Sequence, residues 1–164
     1  MREPARSDTL AADDETSVRF SVDVRVPVHE AFRVFTEGFD AWWPRDHHIG
    51  RVPMAVAIIE PRPGGRWYEL GVDGSECEWG VVLAWEPDRH VALSWHLDGD
   101  FAYDGDPSRA SRVDVTFEAL DPSTTRVVLV HSGLDRHGPS WRRLRGAITR
   151  GWPTTLGRFA DAVA

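Results

Sequence analysis

The sequence predicts an α+β fold in which seven antiparallel strands form a curved sheet wrapped around one long C-terminal helix. From Trp141 to Val163, apolar residues recur every three or four positions, which is the spacing of an amphipathic helix. From Val18 to Val26 apolar and polar residues alternate without a fault, and shorter strand-like segments follow. Hairpin-length turns between these segments favour antiparallel pairing. Such a sheet must cover its apolar face, and the long helix is the obvious cover.

The N-terminal part of the chain predicts a tail, a strand and two short helices. Residues 1–15 are acidic and aperiodic, which indicates a disordered tail before a single domain over residues 16–164. Pro27 ends the first strand and suits the start of a helix. Gly38 ends that helix, and Pro44 ends a second, shorter one.

Six further strands are predicted between turns rich in Gly, Pro and Asp. One strand is expected to place Trp79, Val81, Leu83 and Trp85 on a single face, because side chains alternate along a strand. The predicted ranges are 54–59, 66–70, 76–85, 89–96, 112–120 and 125–132.

A proline interrupts the long helical pattern. Pro153 lacks the N–H that would bond to Thr149, so we expect a bend or break around residues 149–153. This predicts a hinged lid over any cavity beneath the helix, with Trp152 at the hinge.

Composition excludes several classes of function. The net charge of -7 argues against a nucleic-acid partner. All 19 basic residues are Arg, so no Lys is present for Schiff-base or phosphate-loop chemistry. Cys77 is the single cysteine, which excludes an internal disulfide. No apolar run has membrane-spanning length and the N-terminus has no hydrophobic signal core, so we expect a cytoplasmic, bacterial protein without a membrane partner.

Eight tryptophans suggest an aromatic pocket between sheet and helix. Aromatic walls suit flat apolar ligands and offer indole N–H groups as spare donors, whereas plain core packing explains the same residues about equally well. The predicted lining is Trp42, Trp43, Trp67, Trp79, Leu83, Leu93, Trp95, Phe117, Leu129, His131, Ile148 and Trp152, with His47, His48, Phe101 and Tyr103 at the rim.

His131 is the titratable residue placed among apolar neighbours on the last strand. It is either an anchor or proton carrier for a ligand, or a buried histidine bonded within the protein, and the second interpretation is favoured. Glu69 and Glu78 face inward in some strand registers, which the sequence leaves open.

No motif assigns a metal, a cofactor or a catalytic residue. His47 and His48 are adjacent and would need a third ligand from elsewhere to hold zinc. The aspartates of the loop over residues 97–110 lack the spacing of a calcium loop. Neither a nucleophile elbow nor a dinucleotide fingerprint occurs.

Several segments resemble one family. They are Pro27 to Phe32, Trp42-Trp43-Pro44, Glu60 to Trp67, Gly80 to Pro87, Val91 to Trp95, Val130 to Gly133 and Gly151-Trp152. Together they make residues 16–163 similar to the START-like (SRPBCC) superfamily with its helix-grip fold, and within it to the family named for activators of the ninety-kilodalton heat-shock protein ATPase. The resemblance implies a helix-grip fold. Its members include lipid carriers, hormone receptors, ring-closing enzymes and co-chaperones.

Three functions follow as hypotheses. The first is binding of a small apolar or aromatic molecule in the cavity between sheet and helix. The second is a cyclase- or hydrolase-type enzyme that uses His131 with pocket water. The third is a chaperone-regulator-like interaction module, or half of a homodimer, for which a filled interior and an apolar surface patch are expected.

Overall fold

The computed structural model describes residues 15–47 and 49–164 and confirms the predicted α+β helix-grip architecture. Of the predicted tail, residues 1–14 lie outside the described part. No helix in that part is long and apolar enough to cross a membrane. The strands are β1 (Val18–Val24), β2 (Met54–Ile59), β3 (Arg66–Gly71), β4 (Glu76–Glu86), β5 (His90–Trp95), β6 (Ser111–Asp121) and β7 (Thr124–Ser132). The helices are α1 (Val28–Thr36), α2 (Phe39–Trp42) and α3 (Trp141–Val163), with 3-10 turns at Arg45–His47, Pro107–Arg109 and Leu134–Ser140.

The strands form one antiparallel sheet in the order β1-β7-β6-β5-β4-β3-β2. The first strand pairs with the last, so that Val18 lies opposite His131. Helices α1 and α2 therefore carry the chain from one edge of the sheet to the other, where β2 begins. Helix α3 follows β7 and lies on the concave face.

The core lies between this concave face and the helices. Side chains alternate along the central strands, and every second one points inward. Phe32 and Phe35 of α1 pack edge-to-face on Phe117, with ring centroids 5.1 and 5.6 Å away. The buried inward residues of β5, β6, β7 and α3 are Val91, Leu93, Trp95, Val113, Val115, Phe117, Val127, Leu129, His131, Leu144, Ile148, Trp152, Leu156 and Phe159.

Strand β4 does not keep the alternation that the sequence predicts. The pairing register shifts between Trp67 and Tyr68 on one side of β4, and between Val82 and Ala84 on the other. Each shift inserts an extra residue and reverses the side-chain parity beyond it. Trp79 is therefore buried, whereas Leu83 is 43% exposed. The prediction that Leu83 faces the cavity is wrong.

Helix α3 runs without a break from Trp141 to Val163. The break expected around residues 149–153 does not occur. Pro153 itself is exposed, and the buried residues Trp152 and Leu156 hold the helix to the core on both sides of it. These contacts keep the helix continuous despite the loss of one backbone hydrogen bond, whereas a bend at Pro153, and with it the hinged lid, stays a prediction.

A glycine substitution in β4, with a control substitution in α3, tests the packing at β4. A side-chain carbon at Gly80 would overlap the Ser94 carbonyl, which accepts the Trp67 indole N–H at 2.7 Å. We expect Gly80→Ala to lower the free energy of unfolding by about 1–3 kcal/mol in urea titrations, as overpacking usually does. Gly157→Ala, on an open face of α3, should raise it by about 0.5–1 kcal/mol. A Gly80→Ala variant as stable as the wild type would contradict this packing.

Candidate functional site

A cavity of about 480 Å³ lies between strands β4 and β5 and helix α3. Its volume falls within the range of small-molecule sites. The loop after α2 and the loop after β5 complete its walls. The lining residues are Trp43, Asp46, His47, Ile49, Trp79, Trp95, Asp100, Phe101, Ala147, Ile148, Gly151, Trp152 and Thr155.

Four tryptophans form one continuous aromatic surface, which we call the four-tryptophan wall: Trp43, Trp79, Trp95 and Trp152. Neighbouring ring centroids are 5.4 Å apart from Trp43 to Trp79, 5.3 Å from Trp79 to Trp95, 6.1 Å from Trp95 to Trp152 and 6.1 Å from Trp152 back to Trp43. The rings meet at steep angles, which is a favoured packing for aromatic pairs. The four indoles therefore line the cavity as one connected cluster of rings.

Small residues on α3 leave the space that the cavity occupies. Ala147, Gly151 and Thr155 follow one another at intervals of four, so they share a helix face. No heavy atom lies within 4 Å of the position that a side-chain carbon at Gly151 would take. The adjacent stripe with Ile148 and Trp152 carries large side chains into the core.

Three of the four indole N–H groups of the wall bond within the protein. Trp79 donates to Glu69 Oε1 at 3.0 Å, Trp95 donates to the Leu97 carbonyl at 2.9 Å, and Trp152 donates to His131 Nδ1 at 3.2 Å. The expectation of spare indole donors is wrong for these three. These three N–H groups are already occupied within the protein.

Glu69 joins the wall to the rim of the cavity. Its carboxylate is almost fully buried and accepts three N–H groups: the Trp79 indole, the Ile49 amide at 2.8 Å and the Gly50 amide at 3.1 Å. A buried carboxylate needs such donors to offset its desolvation. Glu69 thus fixes both a wall residue and the loop that carries Ile49. Glu78, the other open candidate, lies at the surface and bonds to Arg66.

His131 lies beneath the wall in a chain of hydrogen bonds with one possible direction. The Trp152 indole can only donate, so His131 Nδ1 accepts and its proton sits on Nε2. That Nε2–H donates to Ser111 Oγ at 2.8 Å, and the Ser111 hydroxyl donates to His137 Nε2 at 2.7 Å. The chain fixes the Trp152 ring from below.

His131 is fully buried and neutral. Burial lowers its pKa to about 3, and the neighbouring His137 adds to the effect. The Trp95 ring covers it, with a centroid distance of 5.1 Å. A sealed histidine with both nitrogens bonded has no path to a ligand, which counts against the enzyme hypothesis that assigned the chemistry to His131.

Polar groups gather at the mouth of the cavity. Asp46 is exposed there, and His47 packs edge-to-face on Trp43 with a centroid distance of 5.6 Å. Partial burial lowers the pKa of His47, opposed by Asp46 and reinforced by Arg158. His47 is consequently mostly neutral at pH 7, with a ring nitrogen able to accept a proton.

The loop after β5 brings an aromatic residue over the mouth. Phe101 has a φ of 58°, a left-handed conformation that costs a non-glycine residue roughly 1 kcal/mol or more. Its ring lies 6.4 Å from Trp95 and remains 40% exposed. Arg143 of α3 holds this loop through Asp100 Oδ1 at 2.6 Å and the Gly99 carbonyl at 3.3 Å.

The family model for Activator of Hsp90 ATPase homolog 1-like protein matches residues 25–164. The chain belongs to this family. The predicted resemblance is thereby confirmed. No curated protein sequence matches the chain.

Solved structures of relatives share the fold. Txn09, an anthrahydroquino-gamma-pyrone synthase, is 38% identical, with 90% of this chain and 96% of that chain covered and a TM-score of 0.64. CalC, a self-sacrificing resistance protein from Micromonospora echinospora, is 29% identical, with 91% and 94% covered and a TM-score of 0.64. Protein NE0264 from Nitrosomonas europaea, at 18% identity, 92% and 96% coverage and a TM-score of 0.65, shows the fold alone.

In this member of the Hsp90-activator-like family, seven of the predicted pocket and rim residues line the cavity. The lining contains Trp43, Trp79, Trp95, Ile148 and Trp152, and the mouth contains His47 and Phe101. His48 lies outside the described residues.

The other predicted residues lie elsewhere. Trp42, Trp67, Leu93, Phe117 and Leu129 fill the core, because the helices close directly onto that part of the sheet. His131 lies below the wall. Tyr103 stacks on His96 beside a depression on the outer face of the sheet, where Leu83 also lies.

Six lining residues were not predicted. The sequence could have indicated Ala147, Gly151 and Thr155, because these small residues recur at intervals of four beside the apolar stripe of α3. The other three, Asp46, Ile49 and Asp100, come from loops that tertiary contacts place, and the sequence offers no comparable signal for them.

The neutral buried state of His131 predicts a pH dependence of stability. The unfolded chain binds a proton near the ordinary pKa of 6.5, whereas the folded chain does so only near 3. Stability is therefore complete above pH 6.5 and falls below it, by up to about 1.4 kcal/mol per pH unit. His137, whose pKa burial also lowers, adds to the same trend.

Urea unfolding between pH 7.5 and pH 4 measures this slope. His131→Gln keeps one acceptor and one donor but does not titrate. Its free energy of unfolding should therefore fall less steeply with decreasing pH, because unfolding takes up close to one proton fewer. His29→Gln, the same change at an exposed site on α1, should keep the wild-type slope. Equal slopes for all three proteins would contradict the assignment.

Proposed function

We propose that this protein binds a flat, polycyclic aromatic molecule in the cavity beside the four-tryptophan wall. The observation that carries the proposal is the wall itself: four indoles in mutual contact line a space of about 480 Å³, while the N–H groups of three of them bond to the protein. Large flat rings gain most from such an aromatic lining through stacking and apolar burial.

The similar structures support this ligand class. Txn09 is named an anthrahydroquino-gamma-pyrone synthase, and an anthrahydroquinone is a flat polycyclic aromatic system. The identity of 38% over nine-tenths of the chain favours a related ligand here. The open cavity also favours a small molecule over an interaction module with a filled interior.

Filling the cavity from α3 tests the proposal. Gly151 faces open space, so Gly151→Leu should occupy the cavity and leave the fold intact, because leucine also suits a helix better than glycine. Gly157→Leu makes the same change on an exposed face of α3 and serves as the matched control.

Titration with 9-anthracenemethanol, followed by tryptophan fluorescence and calorimetry, should show saturable binding to the wild type and to Gly157→Leu. Gly151→Leu should bind at least about tenfold more weakly, a loss of about 1.4 kcal/mol. Trp152→Ala should also weaken binding, since it removes one face of the wall. Equal affinity of Gly151→Leu and wild type would place any binding outside the cavity.

Ring closure on an aromatic substrate is a second candidate function. The name of Txn09 favours it, and so do Asp46, His47 and Asp100 at the mouth of the cavity. In this hypothesis neutral His47 takes the proton of a phenol, and the phenolate oxygen adds to the β-carbon of a conjugated enone in the same molecule. The C=C π bond breaks to give an enolate, and the proton returns from His47 to the enolate carbon, which closes a dihydropyranone ring. No oxidant or reductant is consumed.

The isomerisation of 2′-hydroxychalcone to flavanone is a model of this step and is followed by absorbance. A ring-closing enzyme should accelerate it at least about tenfold over buffer, and His47→Gln should remove most of the acceleration, within the usual 10²–10⁴-fold effect of a general base. His29→Gln should have no effect. A rate equal to that in buffer would contradict ring closure of this kind while leaving ligand binding intact.

A further inference from the structure

The charged groups that line the cavity all have one sign. Asp46 and Asp100 contribute carboxylates, and no Arg is among the lining residues that the structure describes. Thr155 and neutral His47 can each donate or accept, so they do not set the polarity. Because the indoles of Trp79, Trp95 and Trp152 donate elsewhere, the wall adds few donors.

Two arginines close to the lining residues are occupied. Arg143 binds Asp100 and the Gly99 carbonyl, and Arg158 Nε donates to the Trp42 carbonyl at 3.0 Å. An anionic ligand would have to displace one of these contacts or remain unpaired beside Asp46 and the Asp100–Arg143 pair. Either choice costs a modest free energy, because Asp46 and Asp100 are exposed and solvent screens their charge.

We propose that the ligand is a polycyclic aromatic that carries hydrogen-bond donors, as hydroxyl or ammonium groups, and no anionic group. This inference rests on the proposed function and narrows its ligand class. Donors on the ligand form charge-assisted hydrogen bonds with Asp46 and Asp100. An ammonium group gains further from the indole faces, which attract cations. Because the two aspartates repel anions, carboxylate lipids and acidic aromatics are not expected as ligands.

Four anthracenes with the same ring and different substituents at carbon 9 test this inference. The alcohol 9-anthracenemethanol donates, its methyl ether only accepts, 9-(aminomethyl)anthracene is a cation, and anthracene-9-carboxylate is an anion. We expect the amine and the alcohol to bind wild-type protein several-fold more tightly than the ether, and the carboxylate to bind several-fold more weakly than the alcohol.

A second experiment removes the two carboxylates of the cavity lining by substitution. Asp46→Asn combined with Asp100→Asn should reduce the ratio of alcohol to carboxylate affinity toward one, and this ratio is compared within each protein so that any general change in binding cancels. Asp135→Asn, an exposed carboxylate outside the cavity, should keep the wild-type ratio.

The outcomes separate the two claims. If none of the four anthracenes binds, the proposed function fails and this inference fails with it. If all four bind alike, or if the carboxylate binds most tightly, the cavity binds aromatics but the inference is overturned. Discrimination that survives in the double variant also overturns it, because the carboxylates are then not its source.

Discussion

The hydrogen bond from the Trp152 indole to His131 Nδ1 joins the long helix to strand β7, which lies next to the edge strand β1. It fixes the proton of His131 on Nε2, and this in turn fixes the direction of the bonds through Ser111 to His137. Each polar group in this buried chain is satisfied, as the low polarity of the interior demands. The consequence for the site is that the Trp152 N–H is occupied, so that this lining residue offers the cavity no spare donor.

The cavity arises from two neighbouring stripes on one helix. Ile148, Trp152 and Leu156 reach the sheet and bury apolar surface, whereas Ala147, Gly151 and Thr155 are too small to do so. A helix with large residues in both stripes would close the gap. The large residues of α3 therefore pack on the sheet and also line the cavity, and the small residues leave its space.

The sequence was sufficient for the architecture and for part of the site. The alternation from Val18 to Val24 and the helical spacing of α3 come from burial of one face, which leaves a periodic trace in the chain. A bulge leaves no such trace in the sequence. The alternating pattern therefore predicts that Leu83 faces inward, and it leaves the orientation of Glu69 undetermined. Pro153 does not break α3, because core contacts, which lie far apart in sequence, hold the helix on both sides of it. Asp100 and Phe101 reach the cavity through Arg143, a tertiary contact without a local signal.

The most direct test is the set of indole resonances in a nitrogen–proton spectrum, because four tryptophans border the cavity and four do not. Addition of 9-anthracenemethanol should move the indole signals of Trp43, Trp79, Trp95 and Trp152 the most. The signals of Trp42, Trp67, Trp85 and Trp141 should change little, since these residues lie outside the lining. Binding that shifts Trp141 or Trp85 while the four-tryptophan wall stays unchanged would contradict the account.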